Sequence, residues 1–229
     1  MRHSEERDLR EGLVYDPTVR GFDSNFWRGD TADITFDTVR NALEFGDTGL
    51  VGKATSLSQF LYGDFEFTIS LDSLSPDSND GASLAQGKRW GLQNPGDTNE
   101  RGAAYFEMRY DTVAGGDTAT TRPFRAVIRS EAGTVQRKNI TWDTLWTLNT
   151  RYRINWEADG VRFLVNDTVY ATLGDRPDSS NSTFQINTAI PQALRIANTT
   201  VDTVDSSAMG LKMLVVRNSR MIRDGIAAL

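Results

Sequence analysis

Tyr152-Arg153-Ile154-Asn155-Trp156-Glu157-Ala158-Asp159-Gly160-Val161-Arg162-Phe163-Leu164-Val165-Asn166 is the stretch on which the fold turns. Tyr152, Ile154 and Trp156 alternate with Arg153 and Asn155, and a period of two places the large apolar side chains on one face of a strand. At Asp159-Gly160 a tight reversal needs backbone tolerant of positive φ, and beyond it Phe163 and Val165 supply apolar partners for the same face. Asn166-Asp167 marks the next reversal, into Thr168–Thr172. The spacing predicts two consecutive hairpins whose aromatic face is core packing.

The same period extends in both directions. Strands are predicted at Ile34–Phe36, Ala42–Phe45, Ala54–Phe60, Phe65–Leu71, Tyr105–Tyr110, Phe124–Ser130 and Val135–Ile140, and past the hairpins at Ala193–Ala197 and Leu211–Val216. Clusters of Gly, Asp, Asn and Pro separate them. Many short strands with almost no helical periodicity predict an all-β, two-sheet antiparallel sandwich. Only Ser4–Leu13 reads as a helix, with Ser4 as its cap. The expected organisation is an N-terminal arm over 1–25, one β-sandwich over 26–217 and a C-terminal tail over 218–229. The Gly-Asp-Thr triplets at Gly29, Gly46, Gly96 and Gly116 are irregularly spaced and read as turns, not repeats.

Composition narrows the chemistry. The 229 residues are 38% hydrophobic and 24% charged, enough for a large core, with no apolar run long enough to span a bilayer. Cysteine is absent, which removes disulfides and thiolate sites. The one histidine, His3, leaves no His-based acid/base or zinc arrangement within the chain. The net charge of −6 disfavours nucleic acid, and neither a nucleic-acid nor a membrane partner is expected. Met1 to Arg7 is charged where a secretory leader would be apolar, so the expectation is a chain made in a host cytoplasm.

Three stretches resemble the concanavalin A-like lectin and glucanase superfamily, in its laminarinase-type and laminin G-like jelly-roll members. Tyr62-Gly63-Asp64-Phe65-Glu66 is similar to a "Tyr-Gly-x-Phe-Glu" strand of that family. Tyr152 to Asn166 resembles its late "Tyr-x-Ile-x-Trp" hairpin, and Leu211 to Val216 its closing strand. The resemblance covers Asn25 to Arg217 and implies a jelly-roll sandwich.

Catalytic members of that family carry a strand of the form Glu-x-Asp-x-(x)-Glu. The strand here that resembles it is Ala104-Tyr105-Phe106-Glu107-Met108-Arg109-Tyr110-Asp111. Alternation turns Phe106, Met108 and Tyr110 to the core and leaves Tyr105, Glu107, Arg109 and Asp111 on the other face. An arginine stands where the middle carboxylate belongs. Strand residues four apart are separated by about 13 Å, whereas glycosidase carboxyl pairs stand about 5 to 9.5 Å apart. The expectation is therefore that the chain is not an enzyme. These charges read either as a solvated sheet face or as a polar binding row of Tyr105, Glu107 and Arg109, with Trp90 as stacking platform or core residue.

No cofactor is expected, except that Asp77, Asn79 and Asp80 form an oxygen-rich loop that is either a calcium site or a solvated turn. Arg28-Gly29-Asp30 is given no functional weight. The leading functional expectation is a non-enzymatic structural or recognition module of a larger assembly, a phage virion protein in capsid decoration or tail, joined to other subunits through arm and tail and able to hold polysaccharide. The alternatives are a free carbohydrate-binding, lectin-like protein, and a divergent glycoside hydrolase that recruits Glu66 or Glu157.

Overall fold

The computed structural model describes residues 12–30, 34–45, 52–71, 87–93, 101–108, 124–141, 149–157, 159–174, 182–184, 186, 191–199, 209–219 and 221–223. Within them the chain forms strands β1 (Leu13–Tyr15), β2 (Trp27–Asp30), β3 (Ile34–Asp37), β4 (Ala42–Phe45), β5 (Gly52–Phe60), β6 (Gly63–Leu71), β7 (Gly87–Gln93) and β8 (Ala104–Met108). Then come β9 (Phe124–Arg129), β10 (Val135–Ile140), β11 (Thr150–Glu157), β12 (Gly160–Val165), β13 (Thr168–Leu173), β14 (Gln192–Thr199), β15 (Met209–Arg217) and β16 (Met221–Arg223). A single-turn helix, α1 (Pro17–Arg20), follows β1.

Two eight-stranded sheets result. Sheet A runs β13-β12-β11-β6-β15-β4-β3 with β1 also on β15, and sheet B runs β10-β9-β8-β7-β14-β5-β16 with β2 also on β5. All the pairings are antiparallel. The hairpin that decided the sequence reading is present: Tyr152 faces Val165, Ile154 faces Phe163 and Trp156 faces Val161. Its ladder closes at Glu157 opposite Gly160, so Gly160 is the first residue of β12 and not part of the reversal. The second reversal uses Asn166 and Asp167 at φ 46° and 67°, the left-handed region that a two-residue hairpin loop demands.

The core lies between the sheets. Trp90, Phe106 and Phe124 of sheet B meet Tyr152 and Phe163 of sheet A, with ring centroids 4.8 Å apart for Trp90 and Tyr152 and 5.1 Å for Phe106 and Phe163. Offset and edge contacts at these separations add to the burial of the rings themselves.

The segments expected as arm and tail both contribute strands to the sandwich. β1 is hydrogen-bonded to β15, and Tyr15 is fully buried against Phe26 and Trp27. The segment Asp16-Pro17, within the expected arm, is a helix start: the Asp16 carboxylate accepts from the Thr18 N–H at 2.8 Å, and Pro17 sits where its missing N–H costs nothing. Part of the tail is also a strand, since β16 pairs with β5. The helix read at Ser4–Leu13 lies outside the described residues except for its end, where Leu13 belongs to β1.

Candidate functional site

Pairing across sheet B fixes which side chains leave the core. Trp90 of β7 lies opposite Ile196 of β14 and Phe106 of β8, and Ile196 lies opposite Ala54 of β5, all in the core. The intervening positions face away. Arg28 of β2 and Arg195 of β14 both lie opposite Thr55 of β5, and Arg195 also opposite Gly91. Gly91 in turn lies opposite Tyr105 of β8, Tyr105 opposite Val127 of β9, and Val127 opposite Arg137 of β10. A small second apolar cluster of Ala103, Tyr105 and Val127, with Val135 against it, is separate from the main core and marks this as the outer face.

The outer face of sheet B is basic from end to end. Arg28, Lys53 and Arg195 stand at one end, Arg89 in the middle, and Arg125, Arg129 and Arg137 at the other. Among the side chains described on these strands, Glu107 supplies the acid. It is almost fully buried and held by Arg89, whose Nε and Nη2 lie 3.0 and 2.8 Å from its Oε1. The Arg89 guanidinium also lies 5.1 Å from the centre of the Tyr105 ring, so acid, arginine and aromatic form one fixed unit.

Beside that unit the face opens. A cavity of about 320 Å³ is lined by Arg28, Gly29, Lys53, Thr55, Gln93 and Arg195. Gln93 Oε1 accepts a hydrogen bond from Arg195 Nη1, which orients that guanidinium along the wall. Gly91 lies between Arg195 and Tyr105 in the ladder. A Cβ there would lie 2.4 Å from the Ala104 carbonyl oxygen and 2.5 Å from Tyr105 Cα, so the close approach of β7 and β8 excludes any larger residue.

The outer face of sheet A is built on another principle. Arg153 clamps Asp64 through two hydrogen bonds of 2.5 and 2.7 Å, Arg217 pairs with Glu66 at 3.2 Å, and Arg162 pairs with Glu157 at 3.1 Å. Opposite charges alternate there and neutralise one another. The hydrogen bond to Asp64 raises the pKa of the Arg153 guanidinium further, against the opposing effect of burial.

No family model matches the chain, and no curated protein does. Solved structures match in shape. One is the laminarinase catalytic domain from Thermotoga maritima, 12% identical, with a TM-score of 0.61 over 90% of this chain and 97% of that one. A Crh5 transglycosylase in complex with NAG is 15% identical, with a TM-score of 0.61 over 91% and 86%. A third is an immunostimulatory antigen and pseudo β-1,3-glucanase of Mycobacterium tuberculosis, 12% identical, with a TM-score of 0.54 over 82% and 79%. This chain has the concanavalin A-like jelly-roll fold of the laminarinase-type glucanases.

On this jelly roll the expected site residues separate. Tyr105 and Glu107 are together on the outer face of sheet B, as alternation required. Trp90 is not with them: its ring is enclosed between the sheets against Phe106, Phe124 and Tyr152, so a stacking role for it is corrected to core packing. Arg109, and Asp77, Asn79 and Asp80 of the calcium reading, lie outside the described residues. Glu66 and Glu157, the carboxylates considered for a divergent hydrolase, belong to sheet A and are ion-paired there, on the opposite side of the sandwich from Glu107.

The expectation of a phage virion component, a capsid decoration or tail protein, is overturned. The fold neighbours named above are a laminarinase domain, a transglycosylase and a pseudo glucanase, and none of them is a particle protein. The physical ground for that expectation also weakens, because the segments read as docking arm and tail contribute β1 and β16 to this chain's own sheets.

Arg28, Lys53, Thr55, Gln93 and Arg195 were missed as a group. The signal was available in the alternation of Trp27, Ala54 and Ile196 with Arg28, Lys53, Thr55 and Arg195, but using it required knowing that β2, β5 and β14 are neighbours.

Proposed function

We propose that this protein binds carbohydrate along the outer face of sheet B and does not cleave it. The observation that carries the reading is the state of Glu107. It is the acid among the side chains described on that face, it is buried, and it is tied to Arg89 by two contacts. Glycoside hydrolysis with retention requires a second carboxyl about 5 Å from the first, and inversion one about 6.5 to 9.5 Å away with room for water between them. Among the described side chains of this face, a single carboxylate locked to a guanidinium serves neither geometry.

Two features favour carbohydrate as the ligand. The fold is shared with a laminarinase catalytic domain and with a transglycosylase solved in complex with NAG. The cavity on the same face is lined by hydrogen-bonding side chains, Thr55 and Gln93 among arginines and a lysine, the kind of wall that hydroxyl-rich ligands engage. A pseudo β-1,3-glucanase among the fold neighbours provides a parallel for this shape without the glucanase reaction.

Affinity electrophoresis through gels containing β-glucans, chitin derivatives and acidic polysaccharides, with a reducing-end assay on the same polymers, tests the reading. It predicts retardation by at least one polymer and no accumulation of reducing ends. Free migration through all of them, or steady release of reducing ends, would contradict it.

A further inference from the structure

We propose that the site is selective for acidic polysaccharides, chains whose sugars carry carboxylate or sulfate groups, held where Arg28, Lys53 and Arg195 converge on the cavity over Thr55 and Gln93. The proposal rests on the carbohydrate-binding reading and adds the ligand's chemical class.

The placement comes first. Arg28 and Arg195 flank Thr55 on the neighbouring strands β2 and β14, two strand spacings apart, or about 10 Å. Lys53 lies two residues along β5 from Thr55 on the same face, about 7 Å away. These three cations therefore surround one opening, and Arg28 and Lys53 are both exposed. Among the described side chains no carboxylate pairs with Arg28 or Lys53, and Asp30 is the acid that the ladder places opposite Lys53, one against three cations.

The charge balance sharpens this. The chain as a whole carries −6, yet Arg28 and Lys53 stand at this opening with Arg195, while Arg153, Arg162 and Arg217 of sheet A are each paired with an acid. Like charges gathered at one opening repel, and a bound polyanion relieves that repulsion. Guanidinium groups suit carboxylate and sulfate because their fork of N–H donors matches two oxygens at once.

Nucleic acid, the other common polyanion, fits less well. Single-strand sites present aromatic side chains on which bases stack. On this face Tyr105 lies under Arg89 and Trp90 is in the core. A duplex carries one charge per about 1.7 Å and is repelled by the molecule's net negative field far more than a sparsely charged polysaccharide is.

Calorimetric titration of the full chain provides the test, with oligogalacturonate, a sulfated galactan oligomer, the methyl-esterified and desulfated forms of each, and single-stranded and duplex DNA of similar length. The double variant Arg28→Ala/Lys53→Ala alters two exposed side chains, and Arg162→Ala on sheet A is the control; thermal melting establishes that both fold. At least one acidic oligomer is expected to bind about tenfold or more tighter than its uncharged form and to weaken about tenfold as salt rises from about 50 to about 300 mM. The double variant is expected to lose about tenfold, with Arg162→Ala unchanged. Which acidic oligomer binds identifies carboxylate or sulfate as the recognised group.

Equal binding of charged and uncharged forms overturns the selectivity and leaves carbohydrate binding standing. No binding of any carbohydrate overturns both. Tighter binding of DNA than of either acidic oligomer, or equal losses in Arg162→Ala and the double variant, overturns the proposal.

Discussion

Tyr152 and Tyr15 show how single residues tie this sandwich to its solvent. Tyr152 is fully buried in β11, and burial raises its phenol pKa far above the ordinary value, with a side-chain hydrogen bond to Thr150 opposing the shift. Tyr15 is raised for the same first reason, although its hydroxyl donates to the Gly21 carbonyl and accepts from the Asp23 N–H. A pKa raised by folding means that the folded state favours the protonated phenol. The associated stability is complete below the unfolded value of about 10 and is lost as pH rises toward the folded value. Denaturant midpoints measured from pH 7 to 11 are therefore expected to fall above about pH 10. Tyr152→Phe, which has no proton to lose, should flatten that fall; an unchanged alkaline slope in the variant would show that the phenol is not its source.

At the scale of elements, β11 was legible because Tyr152, Ile154 and Trp156 alternate with polar residues, and β12 because Val161, Phe163 and Val165 keep the same period. β7 was not. Its sequence, Gly-Lys-Arg-Trp-Gly-Leu-Gln, opens on glycine and carries a second one at Gly91, which local propensity reads as loop. Tertiary packing overrides that preference: Trp90 and Leu92 fill the core, and Gly91 is required because β8 crosses too close for a Cβ. Gly91→Ala is accordingly expected to destabilise by about 1–3 kcal/mol through forced backbone displacement, lowering the melting temperature by about 2–4 °C per kcal/mol. Calorimetric melting checks this; a variant as stable as the parent would mean that the strands separate at no cost. β1 and β16 escaped notice for a different reason, as strands of three residues are too short to establish a period and are held only by their partners β15 and β5.

Across the whole molecule, the sandwich architecture follows from sequence, whereas the distribution of charge does not. A count of Lys, Arg, Asp and Glu yields an acidic chain, and only strand order reveals that sheet A interleaves its charges while sheet B collects arginines on one face. Arg28, Lys53 and Arg195 are far apart in the chain and meet because β2, β5 and β14 lie side by side. Tyr105 and Glu107 could be placed together from one strand; their partner Arg89 and the adjoining cavity depend on neighbouring strands. The jelly roll thus presents two faces of opposite design on one core, and the account assigns binding to the basic one. A crystal structure of the chain with an acidic oligosaccharide tests that assignment most directly. An intact oligomer is expected over β2, β5 and β14 with its anionic groups against Arg28, Lys53 and Arg195; an oligomer seated on the sheet A face, or found cleaved, would contradict that assignment.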